Sequence, residues 1–140
     1  MKHYRVVAAV VCRQGQYLCM QKGKTRFEYT SYKWEFPGGK IESGETPREA
    51  LARELMEEME LPVEVGDEIT TVTHAYPDFS IEMTAFLCTP LAESFALKEH
   101  IDFEWKSKNE LASLDWAEAD VDIVKKIAAQ QATRKNAIRQ

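Results

Sequence analysis

Hydrophobic and polar positions along this chain divide it into short strands and two helical stretches. The first run, Val6 to Cys12, is β-branched and apolar with no polar break, which predicts a buried strand. "RQGQ" (Arg13 to Gln16) turns the chain into a second run, Tyr17 to Met20, so the two read as a hairpin. Lys22 to Lys33, "KGKTRFEYTSYK", is basic, aromatic and without period, and reads as a loop beside a site. "WEFPGG" reads as a short strand ending at a Pro-Gly-Gly turn. Ile69 to Ala75 and Ser80 to Cys88, parted by "YPDF", predict another hairpin, and Phe103 to Lys106 a last short strand.

Helical spacing appears in "SGETPREALARELMEEMEL". Thr46 suits the N-cap, Pro47 the first helical position, and Glu49 completes a capping box with Thr46. The helix is expected from about Pro47 to about Glu60, with Pro62 marking its end. Leu111 to Leu114 reads as a short helix or turn. Asp120 suits the N-cap of a C-terminal helix holding Val121, Val124, Ile127 and Ala128, and residues 130–140 read as a fraying tail. There is no internal repeat and no low-complexity stretch. Strands outnumber helices, which predicts one α/β domain over residues 1–140, a mixed sheet with helices packed on it.

The composition removes several classes. A net charge of −5 argues against broad nucleic-acid or membrane-surface binding, although a bound divalent cation would still admit an anionic substrate. Cys12, Cys19 and Cys88 are odd in number and widely spaced, which fits a reduced, cytoplasmic compartment and no structural zinc. The apolar run near the N-terminus is too short for a membrane span. The three histidines form no metal motif.

The candidate chemistry lies in "RELMEEMEL", Arg53 to Leu61. Glu54, Glu57 and Glu58 fall within an arc of roughly 100° on a helix, beside the apolar side that faces the sheet. Two such charges ~6 Å apart repel by about 3 kcal/mol at an effective dielectric near 20. Raised pKa values or a bound cation relieve that cost, and oxygen-only ligands suit magnesium or manganese. A solvated acidic helix, partnered by Arg48 and Arg53, is the plainer reading. The preceding Gly38 and Gly39 favour the site, because they let backbone approach a ligand and present a carbonyl to a metal. Arg53 can hold Glu45 or a neighbouring carboxylate in place.

These residues resemble the signature of the Nudix hydrolases. Gly39 is followed after five residues by Glu45, and after seven more by Arg53, Glu54, Leu55, Met56, Glu57, Glu58, Met59, Glu60 and Leu61. Every fixed position matches except Glu60, where the family has a helix-ending glycine. "KWEFPGGKIESGETP", "YPDFSIEMTAFL", "KEHIDFEWKS" and "ADVDIVKKI" extend the resemblance to the MutT-like nucleoside triphosphate pyrophosphohydrolases. The resemblance implies an α/β/α sandwich with a mixed β-sheet. It implies hydrolysis of a nucleoside triphosphate to monophosphate and pyrophosphate, by attack of water on the β-phosphorus, with Mg2+ or Mn2+.

By the same resemblance Gly38, Glu54, Glu57, Glu58 and Glu99 form the metal shell, with Glu54 or Glu99 as base. Arg53 supports them. Lys22 meets phosphate or is simply solvated beside Lys24 and Arg26. Glu35, Phe36, Pro37 and Gly38 lead into the box and line the substrate pocket, with Phe36 equally readable as core. Asp120 touches the base, caps a helix, or does both. Substrates of the 8-oxo-dGTP kind and of the CTP or dCTP kind both fit; an ADP-sugar or dinucleoside polyphosphate enzyme and a non-catalytic nucleotide-binding module are the other readings. The partner is a small nucleotide, with no nucleic acid or membrane, on a monomer or homodimer.

Overall fold

A computed structural model describes the backbone of residues 1–139 and the side chains of residues 1–129; the tail expected to fray over 130–140 lies outside the fully described part. The elements are β1 (Lys2–Arg13), β2 (Gln16–Lys22), β3 (Trp34–Glu35), β4 (Gly38–Lys40), α1 (Pro47–Met59), β5 (Val63–Ala75), β6 (Phe79–Pro90), β7 (His100–Ser107) and α2 (Glu118–Arg139). Short 3-10 turns occupy Glu28–Thr30 and Lys108–Ser113. Strand β1 is the spine. It runs parallel to β6 from Lys2↔Phe79 to Val11↔Cys88, and antiparallel to β2 and β4. Strand β5 closes a hairpin with β6, while β3 and β7 flank β2.

The uninterrupted apolar run of β1 is explained by burial on both faces. Val7, Ala9 and Val11 pack with Ala50, Leu51, Leu55 and Met59 of α1. Ala8 and Val10, one residue out of phase, join Trp34, Phe36, Ile123 and Ile127 on the α2 side. Period-two alternation therefore feeds two cores, and the result is the expected α/β/α sandwich with a mixed sheet.

Helix α1 starts as its sequence dictates. The Thr46 hydroxyl accepts the Glu49 N–H at 3.1 Å, and the Glu49 carboxylate accepts the Thr46 N–H at 2.9 Å. It stops at Glu60, which sits in the left-handed region at φ 51° and sends its N–H back to the Met56 carbonyl at 3.1 Å. A non-glycine residue there is strained by about 1–2 kcal/mol. The exposed Lys98–Glu60 pair at 3.3 Å offsets little of this. Glu60→Gly is therefore expected to raise stability by about 0.5–1 kcal/mol, the relieved strain outweighing the added chain entropy of glycine; chemical denaturation checks it.

Several expectations need correction. Gly38 and Gly39 are not a turn but strand β4, opposite Ala8 and Val7. A Cβ at Gly38 would overlap the Val7 carbonyl oxygen, so glycine lets β4 lie against β1. Strand β5 begins at Val63, not Ile69, because register shifts between Val65 and Glu68 and between Glu68 and Thr70 break the alternation that marks a strand. Strand β7 extends to His100 and Ser107, beyond the expected Phe103 to Lys106. Asp120 does not cap α2, which begins at Glu118; its side chain serves a distant segment instead.

Candidate active site

Arg53 organises the acidic end of α1. Its Nε and Nη2 donate to the two oxygens of Glu45 at 2.6 and 2.9 Å, and Nη2 also donates to the Lys40 carbonyl at 3.1 Å. Nη1 reaches Glu54 at 3.0 Å and Glu57 at 3.1 Å. One guanidinium thus ties the loop after β4 to the helix. The Glu45 carboxyl is held down at about 2, chiefly by its hydrogen bond from Arg53 and then by the Glu42 N–H. The Glu54 carboxylate lies flat on Gly39, where any Cβ would overlap it.

Glu58 faces inward. Burial pushes its carboxyl up to about 9, and the charges of Glu99, Glu54 and Glu35 add to the effect. The structure therefore brings Glu54, Glu58 and Glu99 into one neighbourhood. Glu57 differs: its side chain is 60% exposed and turned to Arg53. Among the described residues, no three acidic or histidine side chains already surround one point as metal ligands would. The donor set is nonetheless all oxygen and anionic. The charged form of its half-buried member is disfavoured by burial and then by like charge, a situation that a hard divalent cation relieves.

A cavity of about 940 Å³ opens from this acidic end. Its lining includes Glu58, Glu99, Gly38, Lys22, Glu35, Phe36 and Asp120, the candidates brought together here from five separate segments. Pro37 is not on the wall; its carbonyl accepts the Ala9 N–H at 2.7 Å. Phe36 serves as core, stacked on Trp116 at 4.7 Å, and also presents an edge to the cavity. Lys22 is 3.5 Å from Glu35.

Asp120 is 4% exposed and accepts the Phe36 N–H at 3.0 Å across 84 residues of sequence. Burial pushes its carboxyl up to about 8 from 3.8, with the charge of Glu35 adding and the Phe36 hydrogen bond and Lys22 opposing. The folded protein therefore holds a proton that the unfolded chain releases, and stability falls as pH rises from about 4 to about 8. Asp120→Asn keeps the acceptor and removes that loss. Its melting temperature is expected to exceed that of the parent at pH 8 and to converge with it near pH 4.

Two groups lining or bordering this cavity escaped the sequence reading. Phe27, Tyr29, Tyr76 and Phe79 stack on one another in a closed ring of contacts between 4.9 and 5.7 Å, joining the loop after β2 to the β5–β6 turn. The aromatic content of "KGKTRFEYTSYK" was the available signal. His100 is buried and lies 2.9 Å from Glu35; nothing in "LKEH" marks it.

A mixed sheet between two helices, with glutamates on the wall of a cavity of about 940 Å³, is an arrangement suited to a small-molecule substrate. The chain belongs to the NUDIX domain family, whose model matches residues 1–127, and it is a Nudix hydrolase. It is 31% identical over 134 residues to a CTP pyrophosphohydrolase of Escherichia coli K12, covering 96% of this chain and 98% of the relative. An 8-oxo-dGTP diphosphatase of Proteus vulgaris is 36% identical over 88 residues, 63% of this chain and 78% of the relative. The solution structure of a DNA mismatch repair protein MutT of the Nudix family, from methicillin-resistant Staphylococcus aureus, superposes with a TM-score of 0.73. It is 39% identical to this chain, and the match covers 93% of this chain and 99% of that one. No helix among the described residues is long and apolar enough to cross a membrane.

Proposed function

We propose that this protein hydrolyses (deoxy)nucleoside triphosphates to the monophosphate and pyrophosphate, acting on damaged or non-standard nucleotides of the 8-oxo-dGTP kind. The observation that carries this reading is one cavity lined by two chemically distinct kinds of group. Glu58, Glu99 and Lys22 bring charge to its wall, while Phe36, Tyr76 and Phe79 bring flat apolar faces and Asp120 a buried carboxyl. A cation-bound polyphosphate suits the first set and a planar base the second.

Glu54 and Glu58, with Glu57, Glu99 and the Gly38 carbonyl, would hold Mg2+ or Mn2+. Bound there, the cation supplies charge neutralisation and a more acidic water. Glu54 or Glu99 takes the proton of the attacking water, each being a carboxylate beside the cavity's acidic end. Arg53 keeps Glu54 on Gly39 while this happens. Lys22 meets a phosphate oxygen, exchanging its Glu35 partner for the substrate. Burial pushes the Asp120 carboxyl up, which favours its protonated form, and in that form it can donate to a base acceptor as well as accept.

A second reading, cleavage of CTP or dCTP, is favoured by the near full-length similarity to the CTP pyrophosphohydrolase. A nucleotide panel in H2(18)O separates the possibilities. The expected result is magnesium-dependent pyrophosphate release with the label in pyrophosphate, which reports attack at the β-phosphorus, and the highest kcat/KM for an oxidised guanine triphosphate. A cytidine optimum favours the second reading. No turnover of any triphosphate, or label in the monophosphate, contradicts the mechanism.

A further inference from the structure

We propose that His100 is a positioning residue, which locks the Glu35 carboxylate in the cavity wall and joins it to the segment carrying Glu99. The inference rests on the nucleotide hydrolase reading above and adds a coupling between the wall of the base pocket and its acidic end.

The backbone is built to place this ring. Opposed residues of an antiparallel pair point to the same face. Strands β2 and β7 pair Met20↔Phe103 and Gln21↔Asp102, then the register shifts, so that Lys22 faces His100 and not Ile101. Such a bulge re-aims a side chain. Without it, Ile101 would sit opposite Lys22, and His100 would point to the opposite face. Instead Ile101 is left 55% exposed and His100 turns inward, its side chain only 6% exposed. Glu35, opposite Met20 on β3, reaches the same face from the other side of β2. The three side chains then meet, with His100 Nε2 2.9 Å from one Glu35 oxygen and Lys22 Nζ 3.5 Å from the other.

The arrangement has a chemical consequence. A carboxylate accepts, so the ring nitrogen facing Glu35 carries the hydrogen. When Lys22 turns to a phosphate, His100 becomes the only one of these two partners still holding Glu35. Glu35 then keeps one oxygen for N–H donors on a bound base, and a cytosine or guanine edge offers such donors. Glu99 is the residue before His100, so the same buried ring anchors the backbone from which Glu99 reaches the acidic end. A displaced Glu35 or a poorly fitting base loosens both.

The test has two readouts. In ring-nitrogen NMR of the wild type, Nε2 of His100 is expected to be protonated, with a signal that moves in Glu35→Gln. An Nε2 without a proton, or a signal indifferent to Glu35, overturns the proposal. In a triphosphate panel, His100→Phe keeps a flat ring, somewhat larger than imidazole, and removes the hydrogen bond. It is expected to lower kcat/KM for the preferred nucleotide by about tenfold or more, the scale of a lost hydrogen bond to a charged group, and to lower it less for poorer nucleotides. His100→Gln should recover part of the discrimination. An equal loss on all nucleotides, without recovery in the glutamine variant, overturns the proposal as a merely structural role. A wild type inactive on every triphosphate contradicts the hydrolase reading, and the NMR arm still decides the contact.

Discussion

Glu58→Gln is expected to lower turnover on the order of 1000-fold while making the metal-free protein more heat-stable. The two effects have one cause. Glu58 is the inward member of the cluster, pressed by burial and by the charges of Glu99 and Glu54. Loss of a ligand to the cation removes several kcal/mol of transition-state charge stabilisation, and each 1.4 kcal/mol is about tenfold in rate. With its carboxyl pushed up to about 9, the metal-free fold holds a proton at Glu58 that the unfolded chain releases; glutamine keeps the volume and removes that cost, so the variant gains stability without metal. Adding magnesium should raise the melting temperature of the wild type and leave that of the variant nearly unchanged. Glu57→Gln should cost activity too, by a smaller factor, since Glu57 is exposed and reaches the site only by leaving Arg53. Steady-state kinetics and melting curves with and without magnesium check both. Equal activity in Glu58→Gln would contradict the assignment outright.

Arg53→Ala should damage both fold and activity. The guanidinium is 22% exposed and makes a two-pronged bond to Glu45, at 18%, along with contacts to Glu54, Glu57 and the Lys40 carbonyl. Removing it leaves Glu45 without its charged partner, with only the Glu42 N–H still bonded to it, and frees the loop before α1. The expected loss of stability is about 2–3 kcal/mol, the size of a shielded, charge-assisted pair. Because Arg53 steers Glu54 without belonging to the cation's ligands, the loss in kcat/KM should be about 10–100-fold. Arg53→Lys should recover little of either, since an ammonium cannot bridge Glu45 and Glu54 in one plane. Urea unfolding and kinetics on the same preparations measure the pair of effects.

Much of this was legible in the sequence, and the reasons differ by element. Helix α1 could be read because its start is local chemistry, Thr46 to Glu49, and its acidic arc follows from helical period. Strand β1 could be read because burial on both faces leaves an unbroken apolar run. The box from Gly39 to Leu61 carried the family and, through it, the sandwich. What could not be read was long-range or depended on register. The first half of β5 hides behind bulges that scramble alternation. Asp120 looked like a helix cap because an aspartate before an apolar helix usually is one; its bond to Phe36 exists only after β3 and α2 meet. His100 was invisible because its inward aim comes from one extra residue in β7. The outward turn of Glu57 likewise depends on where Arg53 finds its other partners.

The most direct test of the central claim is Mn2+ binding followed by electron paramagnetic resonance, with a non-hydrolysable triphosphate present, in the wild type and Glu58→Gln. The expected result is tight Mn2+ binding in the wild type, a spectrum altered by the nucleotide, and binding weakened at least tenfold by the substitution. Unchanged Mn2+ affinity in Glu58→Gln, or a wild-type spectrum indifferent to the triphosphate, would contradict a cation shared between these glutamates and a polyphosphate.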